Sequence, residues 1–260
     1  MRRNSVWCMA ALLAAMLVSG CAAKGNTKEE VTLLIAAAAS LKNCCDGELI
    51  PMFEKDHPGI HVTATYDSSG KLQTQIEEGL EADLFLSAAW KQMEALSEEK
   101  LVDEKSIIQL LENQIVLIVP TAADSSITGF EEILQAEHIA IGDPDSVPAG
   151  QYAKEVLESL SLWEDVQKKA SLGTNVTEVL NWVAEGSADA GIVYATDAAS
   201  TDKVRVVASA PEGSPETKIL YPAAVTSGSA HAEEAKLFLT FLQSEEAMKV
   251  FEEYGFSAAE

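Results

Sequence analysis

Strand-length apolar runs alternating with helix-patterned segments predict an α/β fold for this 260-residue chain. Three observations carry that prediction. The runs 31–37 (VTLLIAA), 114–120 (QIVLIVP) and 188–194 (ADAGIVY) have the length and near-continuous apolarity of strands buried on both faces. Helical segments separate them, as in sheets of parallel type with helices on the faces. The roughly 240 residues that follow an N-terminal targeting segment suffice for one large or two modest α/β domains.

The targeting segment is residues 1–20. Arg2 and Arg3 supply a positive start, and the apolar run 6–18 is too short to span a bilayer comfortably. It ends in Leu17-Val18-Ser19-Gly20-Cys21, which resembles a bacterial lipobox with Cys21 as the lipidated mature N-terminus. An ordinary secretory peptide cleaved near Ala22 or Ala23 is the alternative. Residues 21–30 read as a tether, with KGNTKEE polar and unpatterned.

From Val31 the elements follow in order. The first strand leads to a helical segment over about 40–55. HVTATY (61–66) is a strand, GKLQTQIEE (70–78) a helix, ADLFLSA (82–88) a strand and 90–98 a helix. After QIVLIVP come a helix near 130–136, the strand HIAIGD (138–143), a helix opening at Ala149-Gly150, a strand around 170–172 and a helix over 176–185. The strands ADAGIVY, VRVVAS and ETKILYPAAV follow, then one helical stretch over 232–252.

Charge and composition narrow the function. The formal charge of −23 becomes −25 once Arg2 and Arg3 are removed, which argues against nucleic acid or anionic lipid as a partner. It does not exclude a small anion, because surface charge is screened over about 8 Å at physiological salt and local donors in a dry cleft decide. Cys44 and Cys45 are adjacent, so they form neither a metal spacing nor a loop-closing bridge, and they read as thiols packed on a helix. His57, His61, His138 and His231 make no ligand pair at helical spacing, and no direct cation ligand set is expected. A G-x-S-x-G elbow and a Walker loop are both missing, so neither hydrolase nor ATPase chemistry is indicated.

The most informative stretch is DPDSVPAG (143–150), where a strand turns into a helix that opens with small residues. Uncovered N–H groups at a helix start bind anions, since they lack intrahelical partners and sit at the positive end of the dipole. Comparable strand-to-helix junctions stand at Ser40, Ser69 and Val176. Taken singly, Ser40 and Ser69 read as helix caps and Tyr194 as a core residue, while Ala149 and Val176 say nothing. Their joint placement, on the side where α/β sheets bind ligands, carries the functional reading.

At this point the residues match a family. AAAASL (36–41), YDSSGKLQTQIEEG (66–79), ADLFLSA, GDPDSVPAGQYAKEVL (142–157), GIVYATDA (191–198) and FEEYGF (251–256) together resemble the substrate-binding lipoprotein or periplasmic component of molybdate ABC transporters. The resemblance covers essentially the whole mature chain in order. It implies a type II periplasmic binding protein: two α/β domains, two crossings and an oxyanion in the cleft. Domain I is then expected over 31–112 plus 222–260, and domain II over 113–221, with crossings near Asn113-Gln114 and Tyr221-Pro222.

The resemblance also implies a ligand set of Ser40, Ser69, Ala149, Val176 and Tyr194. It implies molybdate or tungstate as ligand, no cofactor, no enzymatic activity, an ABC permease as partner and a monomer held to the membrane only by its lipid. The residue types suit a tetrahedral dianion. Two hydroxyls and a phenol donate from side chains, two small or apolar residues offer only backbone N–H, and none is Lys or Arg. Two departures stand nearby, Asn43-Cys44-Cys45 and Asp67. Asp67 is expected to face solvent or cap a turn. Sulfate, of the same charge and shape, is the rival ligand. An amino acid would call for a buried Arg and Asp, and ferric iron for paired tyrosines or carboxylates. A purely structural surface lipoprotein is disfavoured by the junction pattern.

Overall fold

The computed structural model describes residues 30–215 and 218–259. The targeting segment, Cys21 and all of the tether but Glu30 lie outside the described residues.

The chain builds two sheets. It starts with β1 (Val31–Ala38) and then a helical stretch made of a 3-10 turn (Ala39–Leu41), α1 (Lys42–Cys44), a π turn (Cys45–Leu49) and α2 (Ile50–Asp56). Next come β2 (Ile60–Asp67), α3 (Ser69–Glu77), β3 (Leu84–Leu86), α4 (Trp90–Glu98) and β4 (Ile108–Asn113). The second group is β5 (Ile115–Pro120), a 3-10 segment (Phe130–Gln135), β6 (Ile139–Gly142), α5 (Pro148–Ser159), α6 (Trp163–Val166), β7 (Ala170–Gly173), α7 (Val176–Ala184), β8 (Ala190–Tyr194), α8 (Ala195–Ala199) and β9 (Val204–Ser209). The chain then returns through β10 (Ile219–Val225), α9 (Ala232–Leu242), α10 (Glu245–Glu253) and β11 (Ser257–Ala258).

Strand order is β11-β4-β10-β3-β1-β2 in the first sheet and β7-β6-β8-β5-β9 in the second. Both sheets are mixed, which corrects the expectation of parallel sheets. β10 runs antiparallel to β3 and β4, and β5 antiparallel to β8 and β9. The cause is connectivity: β5 and β10 are the strands entered directly from the other lobe, so no helical crossover sets their direction. Two further differences are local. The expected helix over 232–252 is broken at Ser244, whose hydroxyl caps α10 by accepting from Ala247 N–H at 3.1 Å. β4, whose half-exposed face hides its period, has no counterpart in the sequence reading.

The second crossing also differs from its expected place. β10 is continuous from Ile219 and pairs Ile219 with Asn113, so the chain has entered the first sheet before Tyr221-Pro222. A register shift between Tyr221 and Pro222 marks that dipeptide as an irregularity within the strand instead, consistent with the missing N–H of Pro222.

The parallel strands of each lobe end at its facing edge, and this places the site. Ala38 of β1 pairs with Asp67 of β2, so Ser40 and Ser69 both lie two residues beyond one edge. Gly142 of β6 pairs with Gly173 of β7, which sets the starts of α5 and α7 side by side. Every residue of β5, β6 and β8 is buried, which is why these strands read as unbroken apolar runs.

Candidate functional site

The five residues at the junctions come together on one cavity. Ser40, Ser69, Ala149, Val176 and Tyr194 all line a closed void of about 200 Å3 between the lobes, with Ala38, Ala88 and Val147 completing its apolar wall. No lysine, arginine or histidine lines it. Larger grooves open elsewhere on the surface, but they are lined mainly by exposed loops and lack convergent donors.

Each lobe supplies a different kind of donor. In the first lobe the N-cap of α3 is Ser68, whose hydroxyl accepts from Lys71 N–H at 3.4 Å. Ser69 is therefore the first helical residue and is free for another task. Its Oγ accepts from the buried Ala88 N–H at 2.9 Å, which leaves its own proton to donate. Ser40 lies in the 3-10 turn and meets Tyr221 OH at 3.0 Å. In the second lobe α5 opens with Val147 as N-cap, no side-chain cap and Pro148 in its first turn. In α7, Asn175 caps by accepting from Glu178 N–H at 3.0 Å. Glu178 in turn accepts from the N–H and hydroxyl of Thr174, which hold its carboxyl below the usual range. The N–H groups of Ala149 and Val176 take part in no cap, turn or side-chain hydrogen bond among the described residues.

Tyr194 ends β8 and is 1% exposed. Burial raises its phenol well above the ordinary tyrosine value, so it stays a donor at physiological pH. It donates across the lobes to Ala88 O at 3.2 Å. To serve an anion the phenol must exchange that carbonyl for the ligand.

The lobes touch at several points around the cavity. Gly70 N–H donates to Ser146 O at 3.0 Å, and Gln92 Nε2 to Gln151 Oε1 at 3.4 Å. Gly70 was read in the sequence as leaving room for an anion. The structure assigns that room to the other lobe, because a Cβ there would stand 2.8 Å from Ser146 Cα and closer still to its carbonyl oxygen.

Asp67 lines the cavity as well. Its Oδ1 caps the turn by accepting from Ser68 N–H at 2.8 Å, pairs with Lys71 Nζ at 3.3 Å and meets Asn175 Nδ2 at 3.5 Å. Its charge is thereby tied to a cation and two amide donors, although it does not leave the cleft for solvent. Cys44 and Cys45 are free and buried on the helical stretch, where Cys44 Sγ donates to Leu41 O at 3.1 Å. Two residues next to the site escaped the sequence reading as donors, Asn113 and Tyr221. They mark the crossings but carry no motif.

Two lobes joined by crossings, with a small closed cavity of neutral donors between them, define a ligand-capturing protein of the type II periplasmic binding class. The chain belongs to the bacterial extracellular solute-binding protein family, whose model matches residues 33–257. It is 44% identical over 253 residues to YvgL of Bacillus subtilis (strain 168), which carries the provisional name of an ABC transporter substrate-binding lipoprotein; the match covers 96% of each chain. It is 36% identical to the molybdate-binding protein ModA of Escherichia coli (strain K12), over 95% of this chain and 96% of that one. Among solved structures, the substrate-binding domain of a provisionally assigned molybdenum ABC transporter from Clostridium difficile superposes with a TM-score of 0.68 at 41% identity. That match covers 88% of this chain and all of that one.

Proposed function

We propose that this protein captures molybdate or tungstate between its lobes and delivers it to the permease of an ABC transporter. The observation that carries the reading is the cavity wall itself: Ser40, Ser69, Ala149, Val176 and Tyr194 converge there without a cationic residue. A tetrahedral dianion needs donors from several directions and a shell that excludes water. Hydrogen bonds to a charged partner contribute about 1.5–3 kcal/mol each, so neutral donors alone hold it while leaving it releasable. A void of about 200 Å3 suits a small inorganic ion, below the roughly 300–1,000 Å3 of pockets for larger ligands. Opening about the two crossings admits and releases the ion. The relatives' names agree with this ligand class. The serines act as donors and not as nucleophiles, since no histidine stands on the cavity wall to activate them. The mature protein works as a monomer, with domain I and domain II closing on the ion, and is anchored through lipid on Cys21.

The test has two halves. Titration of the tag-free mature protein, followed through Trp90, Trp163 and Trp182, should give similar affinities for molybdate and tungstate. Sulfate should bind at least about 100-fold more weakly, a gap of roughly 2.7 kcal/mol. Tight sulfate binding would overturn the ligand assignment. Cell fractionation of Cys21→Ala should move the protein out of the membrane fraction with oxyanion binding intact; retention after salt washing would remove the anchor from the proposal.

A further inference from the structure

Ser40 does not face the cavity alone. Behind it stands Tyr221 of β10, 1% exposed and 181 positions away in sequence, with its OH 3.0 Å from Ser40 Oγ. Behind Tyr221 stands Asn113, the last residue of β4 at the first crossing. Asn113 Nδ2 donates to Tyr221 OH at 3.2 Å and to Thr196 Oγ1, in the second lobe, at 2.9 Å. The orientation of this amide is settled by its other end, because Asn113 Oδ1 accepts from Gln114 N–H at 2.8 Å, which a nitrogen could not do.

The direction of every proton in the chain then follows. Tyr221 oxygen accepts from Asn113, so its single proton goes to Ser40 Oγ. Ser40 thus receives a hydrogen bond and keeps its own proton for the cavity. A hydroxyl that accepts is also polarised into a stronger donor. The ring is held in place for this: it packs edge-on against Tyr194 at 5.6 Å and Phe256 at 5.3 Å between centroids.

Resting on the oxyanion reading above, we infer that Tyr221 is a positioning residue that aims the Ser40 hydroxyl at the bound anion, with its own polarity set by Asn113 at the interlobe crossing. Tyr221 does not line the cavity, so it acts on the ligand only through Ser40. Because the Asn113 amide spans both lobes, the aim of Ser40 is tied to the geometry of the crossing.

A double-mutant cycle read by molybdate calorimetry tests this, using the mature protein, Tyr221→Phe, Ser40→Ala and the double variant. Tyr221→Phe keeps the ring and should weaken molybdate by about 3- to 10-fold, the size of one net hydrogen bond. In the Ser40→Ala background the same change should cost nothing further. Equal losses in both backgrounds, or no loss in either while the parent protein binds molybdate, would overturn the inference. Failure of the parent protein to bind molybdate or tungstate would instead overturn the functional reading, and this inference with it. Ligand-free melting of each variant separates packing from aim, since a packing role would lower it with or without Ser40. Should Tyr221→Phe not fold, Asn113→Ala enters the same cycle, and additivity with Ser40→Ala would count against the relay in the same way.

Discussion

The two lobes meet one cavity with different chemistry. The first lobe presents hydroxyls because the first-turn N–H groups of α3 are already engaged: Gly70 N–H with Ser146 O and Lys71 N–H with Ser68 Oγ. The second lobe presents backbone, at Ala149 and Val176, because Pro148 opens α5 without a side-chain cap and Asn175 engages only Glu178 N–H in α7. Buried carboxylates follow the same divide. Asp83 of the first lobe accepts from Leu34 N–H at 2.8 Å and Ser229 Oγ at 2.6 Å. Asp197 of the second lobe, 7% exposed, has an Oδ2 without a partner. A helix start can bind an anion with side chains or with backbone, and what decides is whether its cap has already consumed the amides.

The largest effect that would sharpen this contrast concerns Asp197. Burial pushes its carboxyl up to about 7 from 3.8, against weaker backbone hydrogen bonds that lower it. The folded state therefore holds the proton more tightly than the unfolded state. Between pH 4 and 7 stability falls as pH rises, and above about 7 the full penalty is present, on the order of 4 kcal/mol. Asp197→Asn should match the parent near pH 4 and exceed it increasingly toward pH 8 in ligand-free denaturant unfolding. A stability difference that does not change with pH would mean that Asp197 is ionised and satisfied, and the contrast between the lobes' carboxylates would fail.

Next in size is the seam between the lobes. Gly70→Ala places a Cβ into the backbone of Ser146. The clash exists only when the lobes meet, so it should cost about 3 kcal/mol of molybdate affinity, upwards of 100-fold, and little ligand-free stability. An unchanged affinity would show that the lobes close on the ion without this contact.

The smallest pair of effects tests the division of labour between neighbouring serines. Ser69→Ala should lose about 1.5–3 kcal/mol of affinity. It should also lose about 1–3 kcal/mol of stability, because Ala88 N–H is left buried without an acceptor. Ser68→Ala should lose about 1 kcal/mol of stability as a helix cap and little affinity. Calorimetry beside thermal melting separates the two. The same loss of affinity in both would erase the distinction between cap and donor.

The amino-acid sequence by itself determined the element order and the positions of the five junction residues. Those features rest on short-range physics: apolar period, strand-length runs and the residue types that start helices. It could mark Ser68-Ser69-Gly70 as a junction but not assign the three roles there. That assignment depends on Ala88 and Ser146, which lie 19 and 76 positions away from Ser69 and Gly70. Only the tertiary structure decided that Ser68 is the cap, that Gly70 admits the other lobe, that β5 and β10 run against their neighbours, and that Asn113 and Tyr221 stand behind Ser40. The reason is that a hydrogen bond needs its partners within about 3.5 Å, and a periodic pattern carries no information about which distant strand edge will supply the second atom.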